Sequence, residues 1–224
     1  WCIWIEKADV RKAKSIPMIA ERIEKVEDKR VNGNSVEKSF SHVPYRFVTI
    51  KKPMQSQIIV PIVSSEKRKF IPIGILDETV AVTSKAVVIF DSEMYIFSIL
   101  TSTIHNVWVK AIGARLGNGI SYSTEMCYNT LPIPNISETQ KQSLENHAWQ
   151  IIEAREAHPG KTIAWLYNPD TMPDNLLTAH RALDDTLEKV YIGRPFENDT
   201  ERLEHLFKLY AKMTKKPKDK KAAS

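Results

Sequence analysis

Apolar residues change their spacing several times along this chain, and each change marks a different kind of element. "WCIWI" (1–5) is a continuous apolar run that reads as a strand entered in mid-fold. "SIPMIAERIEKVEDKRV" (15–31) then sets Ile16, Ile19, Ile23 and Val26 at helical spacing, with Ser15 as N-cap and Pro17 in the first turn. "NGNS" ends that helix. From 40 to 90 come short β-branched runs, "YRFVTI", "SQIIVPIV", "KFIPIGIL", "TVAVTS" and "AVVIF". Prolines at 44, 53, 61 and 72 punctuate them, predicting a curved, partly irregular sheet. Residues 92–114 predict one helix with Phe97, Leu100, Ile104, Trp108 and Ala111 inward, Ser92 as cap and Glu93 in the first turn. Gly113 and Gly117 break it, and 120–129 return to strand.

Beyond Pro134 the pattern becomes helical throughout. "SETQ" (137–140) is a capping box opening a helix to about residue 157. Pro173 opens a second, with Leu176, Leu177, Ala179, His180, Leu183 and Leu187 in a stripe. "NDTERLEHLFKLYAKM" forms a third, with Leu203, Leu206, Phe207 and Tyr210 inward. The predicted class is α+β, a mixed or antiparallel β-rich domain with flanking helices over 1–134, then a small all-α subdomain over 135–214. Residues 215–224 read as a disordered basic tail.

Charge follows the same division. Residues 1–130 hold 18 Lys and Arg against 13 Asp and Glu, residues 131–214 hold 9 against 13, and the last ten hold 5 against 1. A basic front half suits a polyanionic partner. Two cysteines, Cys2 and Cys127, point to a reducing, cytoplasmic setting rather than a disulfide framework. No apolar run reaches the roughly 18 residues of a membrane span, and no signal pattern opens the chain. Trp1 in place of Met reads as the start of a fragment of something longer.

Catalytic signatures are missing from these residues. No glycine-rich phosphate loop follows a strand, no CxxC occurs, and the six histidines never pair at metal-ligand spacing. His180 and Asp184, one helical turn apart, read as a surface or capping ion pair. His105, inside an apolar helix, reads as a core histidine with a satisfied hydrogen bond. "SSEKR" (64–68) lacks a partner histidine and makes no hydrolase motif. The fragment therefore reads as no enzyme, and neither cofactor nor metal is expected in it. Three polar loops instead carry residue types that inspect base edges and phosphates: "SSEKRK", "TSK" (83–85) and "RLGNGISYS" (115–123).

Three segments, taken together, resemble a known family. "IIVPIVSSEKRKFIPIGIL", "IFSILTSTIHNVWVKAIGARLGNGISYSTEMCYNTLPIP" and "LLTAHRALDDTLEKVY…RPFENDTERLEHLFKLYAKM" are similar, in order, to the C-terminal part of MmeI-like DNA adenine methyltransferases, which are single-chain restriction–modification enzymes. The resemblance runs from Trp1 to about Thr214. It implies a target recognition domain followed by a helical domain, with double-stranded DNA and an upstream methyltransferase domain of the same chain as partners. It implies that the longer protein uses S-adenosylmethionine to methylate adenine N6, with Mg2+-dependent cleavage through an N-terminal nuclease as a further family activity. The Asn-Pro-Pro-aromatic motif and glycine-rich cofactor loop of that methyltransferase do not occur here. By the same resemblance Lys85, Asn118 and Ser121 are the base readers, with Thr83 and Ser84 beside them. Lys67 and Arg68 face phosphate, and Arg115 is a phosphate clamp or a buttress. Glu66 reads cytosine or fixes its loop, while Tyr122, Tyr128 and Asn129 hold the strand. Leu131 stands where the family often has phenylalanine, a small packing change. The competing readings are a protein-docking module and a separate specificity subunit of a multi-subunit methylase.

Overall fold

The computed structural model describes residues 2–48 and 53–215. The chain forms two compact units, Trp1–Lys52 and Pro53–Ser224. In the first, α1 (Val10–Lys14), α2 (Pro17–Val31) and α3 (Ser35–Ser39) follow one another. Ser15 caps the end of α1, donating its hydroxyl to Lys12 O, so it is not the N-cap of α2; that place falls to Ile16. The expected α2 stripe is only partly used, since Ile23 is buried but Ile16 and Val26 are exposed. Buried Arg30 does more for this unit, donating to the carbonyls of Phe40, Val43 and Arg46 at 2.7–3.0 Å and so pinning the chain after α3. Residues 2–5 and 45–48 form no strand, correcting the reading of "WCIWI" and of the described part of "YRFVTI". Trp1, 49–50 and the tail beyond Lys215 lie outside the described residues.

The second unit begins with two small antiparallel sheets. β1 (Ser56–Pro61) lies between β3 (Gly74–Asp77) and β4 (Ala86–Phe90), while β6 (Gly119–Ser121) lies between β2 (Val63–Ser65) and β5 (Ala114–Leu116). Pro61 is tolerated in the central strand because its nitrogen faces the β3 side, where pairing ends at Ile59↔Gly74. "TVAVTS" is a turn segment rather than a strand. Asp91, with φ of 48°, gathers the amides of Met54, Gln55 and Ser56 and so starts β1.

The long helix expected over 92–114 is two, α4 (Met94–Thr101) and α5 (Thr103–Ile112). Glu93, not Ser92, is the N-cap of α4. Ser102 turns extended (ψ 164°) and its hydroxyl accepts from the His105 amide, which caps α5. After β6 the chain does not continue as strand: Thr124–Tyr128 close a π-type turn, capped by Ser123.

The helical segment follows its predicted pattern, except that Phe207, expected inward, is exposed. The Ser137–Gln140 capping box opens α6 (Glu138–Glu156), α7 (Ile163–Leu166) follows, and α8 (Asp174–Ile192) ends at Gly193, whose φ of 79° takes the left-handed cap. α9 (Asp199–Thr214) closes the described chain. These helices share one core with the sheets: Ile58, Val60, Phe97, Leu100, Ile104, Trp108, Ile120, Leu144, Ile151, Leu183, Leu187 and Leu206 are all buried in it.

Candidate nucleic-acid interface

Ile62 is the joint between the two sheets. Its amide donates to Lys85 O (3.1 Å), and its carbonyl accepts from the Tyr122 amide (2.7 Å). One strand segment thus carries the Thr83–Lys85 turn on one side and the β6 strand on the other. Farther along, Ser65 pairs with Gly119 and Leu116 pairs with Gly119 from the other edge. The Glu66–Arg68 loop and the Gly117–Asn118 turn therefore emerge from the same end of the β2–β6–β5 ribbon. That end lies roughly 10 Å from Ile62, at about 3.3 Å per strand residue.

This geometry places the candidate side chains. Glu66, Lys67, Arg68, Arg115 and Asn118 gather at one end of the ribbon, and Thr83, Ser84 and Lys85 lie at the other, all but half-buried Arg68 being exposed. Ser121 lies between them, opposite Val63. The hairpin turn has a positive φ at Gly117 (56°) and none at Asn118, the sign pattern of a type II′ turn. Arg115 and Glu66 form an ion pair at 2.9 Å with both side chains about half exposed, and Arg115 also reaches Lys110 O. Of the two roles open to each, the contacts present are those of buttress and loop-fixing pair.

Beneath the loops the polar groups are structural. Tyr122 is buried with its hydroxyl 3.2 Å from His105 Nε2, and His105 Nδ1 lies 2.6 Å from Leu100 O. Burial holds that imidazole neutral, down to about 4, and pushes the Tyr122 hydroxyl up. Half-buried Tyr128 packs against the core in the π-type turn, its hydroxyl also pushed up by burial.

His180 and Asp184 correct their reading as a surface or capping ion pair: His180 is buried, and half-buried Asp184 turns to Thr103 rather than to His180. His180 stacks on Phe70 (4.0 Å between centroids) and meets the Tyr167 hydroxyl at 2.8 Å. Asp184 accepts from the Thr103 amide (2.8 Å) and hydroxyl (2.6 Å) at the start of α5. Arg155 completes the set, donating to Tyr167 and to Ile73 O. Thus "AH" and "LD" in "LLTAHRALDD" anchor the "FIPI" segment and the α4–α5 corner.

Two loop-holding residues escaped the sequence reading. Buried Asn106 donates its amide to the carbonyls of Lys69 and Arg68, and Lys110 Nζ reaches Arg68 O at 3.2 Å. Their polarity inside an apolar helix was the only available signal. Asn106→Leu is expected to take the side-chain donor from Lys69 O and leave Arg68 O to Lys110 alone, lower stability by about 1–3 kcal/mol and weaken duplex binding. Denaturant midpoints and binding isotherms for the same variant check it; unchanged binding despite lost stability would detach the loop from DNA contact.

The geometry has close counterparts among known proteins. Residues 1–135 match the family model "MmeI, target recognition domain", and residues 136–217 match "MmeI, C-terminal domain". The chain belongs to the MmeI target recognition family. Among MmeI relatives, DNA methyltransferase A of Bacillus subtilis (strain 168) is 40% identical over 223 residues, covering 96% of this chain and 25% of that protein. The solved structure of the Type IIL restriction–modification enzyme MmeI in complex with DNA superposes with a TM-score of 0.89 at 35% identity, over 96% of this chain and 29% of that one. The chain thus spans between a quarter and a third of these relatives' lengths.

Gly117, Gly160 and Gly193 take positive φ in a hairpin turn, a post-helix turn and a helix C-cap, and none opens a strand-to-helix loop. Among the described residues, no three His, Cys, Asp or Glu side chains gather as a metal site requires, and no helix is long and apolar enough to cross a membrane.

Proposed function

We propose that this chain is the sequence-reading part of a longer cytoplasmic DNA methyltransferase that modifies adenine N6, with cleavage as a further activity of that protein. The carrying observation is the ribbon itself: three polar loops hang from one strand junction, with Lys67 and Lys85 exposed and Arg115 tied to Glu66. In this reading Lys85, Asn118 and Ser121 inspect base edges, with Thr83 and Ser84 shaping the first loop. Lys67 and Arg68 sit over phosphates. Phosphate contacts fix the register and base contacts choose the sequence. The methyl donor, and Mg2+ where DNA is cut, belong to an upstream domain of the same chain. That domain flips out the adenine while this one holds the duplex.

The test is to express the natural reading frame, incubate it with genomic DNA and S-adenosylmethionine, and map modified adenines. Methylation at one short motif is expected. The triple variant Lys85→Ala, Asn118→Ala, Ser121→Ala should stay active but relax or shift that motif. At roughly 1–3 kcal/mol per good bidentate contact, one such loss means about a 5- to 150-fold fall in discrimination at the affected pair. An unchanged motif in the variant would remove these residues from base reading. Absence of any adenine methylation would overturn the enzymatic reading and favour a docking module.

A further inference from the structure

The ribbon's outer face carries apolar side chains that its own packing leaves uncovered. Ile120 and Ser64 are buried on the inner face, so their alternating neighbours point outward. Register sets Val63, Ser121 and Ala114 in one outer row and Ser65, Gly119 and Leu116 in the next. Leu116 is 60% exposed and Val63 45%. Gly119 keeps the floor between them at backbone level. A Cβ there would stand 3.1 Å from Val63 Cγ1 and 3.2 Å from Ser64 O, so Val63 leans over the bare glycine toward Leu116. Exposed Lys67 and Lys69 follow Ser65 in the adjacent loop, and exposed Lys85 sits across the Ile62 joint. The occupant that matches this face is therefore an apolar group carried on a polyanion.

We propose that Leu116 reads the C5-methyl group of a thymine in the major groove. The inference rests on the DNA-reading assignment above and deepens it. A β-ribbon fits the major groove, and the thymine methyl is the apolar mark displayed there. Asn118 in the turn and Ser121 in the next outer row are placed to hydrogen-bond neighbouring edges, while Leu116 supplies what no polar residue can. It recognises one pair by its methyl alone.

Methyl deletion on the DNA tests this directly. The natural reading frame is titrated with duplexes bearing its recognised site, in which each thymine is replaced singly by deoxyuridine, and with a scrambled duplex. One deoxyuridine position is expected to weaken binding about 3- to 5-fold, the effect of a single buried methyl-sized group. Leu116→Ala should bind the thymine and uracil duplexes at that position equally, while still preferring the site over scrambled DNA. Leu116→Met should retain most of the difference. Because the side chain is largely exposed, neither variant threatens the fold.

Insensitivity to every deoxyuridine overturns the proposal. So does a thymine/uracil ratio that survives Leu116→Ala, or a uniform loss on all duplexes, which would make Leu116 an unstacking wedge instead. A wild-type protein with no preference over scrambled DNA would bring down the DNA-reading assignment itself. That result is separable from the others.

Discussion

Trp108→Ala is expected to destabilise the second unit by about 3–5 kcal/mol, the range for deleting a large buried aromatic. Trp108 is 1% exposed on α5. Its ring lies 5.2 Å from Phe207 and 5.8 Å from Tyr210 on α9, and its indole N–H reaches Thr130 Oγ1 at 3.2 Å. The variant loses the transfer term, leaves a cavity and removes the indole donor from the Thr130 hydroxyl, which keeps its own bond to Met126 O. Phe207 is already 46% exposed, so α9 is held by these ring contacts together with buried Leu206 and the Arg202–Glu188 ion pair, and it should lose protection first. Urea unfolding with amide exchange resolved by segment would show it. Trp108→Phe should recover roughly half of the loss, keeping the aromatic packing but not the N–H. If α9 amides in the alanine variant stay as protected as α6 amides, the tryptophan is not what secures α9.

Asp184→Asn is expected to remove a stability loss that the wild type accumulates between about pH 4 and 7, so that the variant's stability rises more steeply over that range. Burial pushes the Asp184 carboxyl up to about 7, opposed by the two hydrogen bonds from Thr103 and by Arg202, and assisted by Glu188. The folded state therefore binds a proton at pH values where the unfolded carboxyl, near 3.8, has released it. Stability from this group is full below the unfolded value and falls as pH rises toward the folded one. Three pH units of that imbalance amount to a few kcal/mol at most.

Buried His105 and His180 act in the opposite sense. Burial lowers both, to about 4 for His105, so their contribution is lost as pH falls below the ordinary imidazole value of 6.5. The wild type should thus be most stable near pH 6–7. The asparagine variant should gain on the wild type steadily from pH 4 to 7, then hold that gain. Denaturant midpoints of both proteins across this range measure the difference. A constant gap would mean that Asp184 does not titrate with the fold.

The helices after Pro134 were legible because their signals are local. Ser137 and Gln140 cap each other across three residues, and α8 repeats its apolar positions over five turns. The break at Ser102 was not legible, because its stabilising partner Asp184 lies 81 residues away from Thr103. The same distance effect hid Asn106, whose partners lie 37 and 38 residues back. Local pattern misled twice. The apolar run "WCIWI" forms no strand over its described residues 2–5, and the alternation after Ser121 is used by a π-type turn. At the interface, loop positions were readable from their polar composition. What they share, a common anchor at Ile62, came only with the sheet register.

That register also limits how such a reader changes over generations. With inner Ile120 and outer Ser121 fixed on β6 by a period of two, one added residue in β6 would turn the core residue outward and bury Ser121. Lengthening the β5–β6 hairpin by one residue in each strand would instead keep opposite residues paired. Insertions here are tolerated in pairs, so new target preferences should come from exchanged side chains and symmetric extensions, rarely from single-codon length changes.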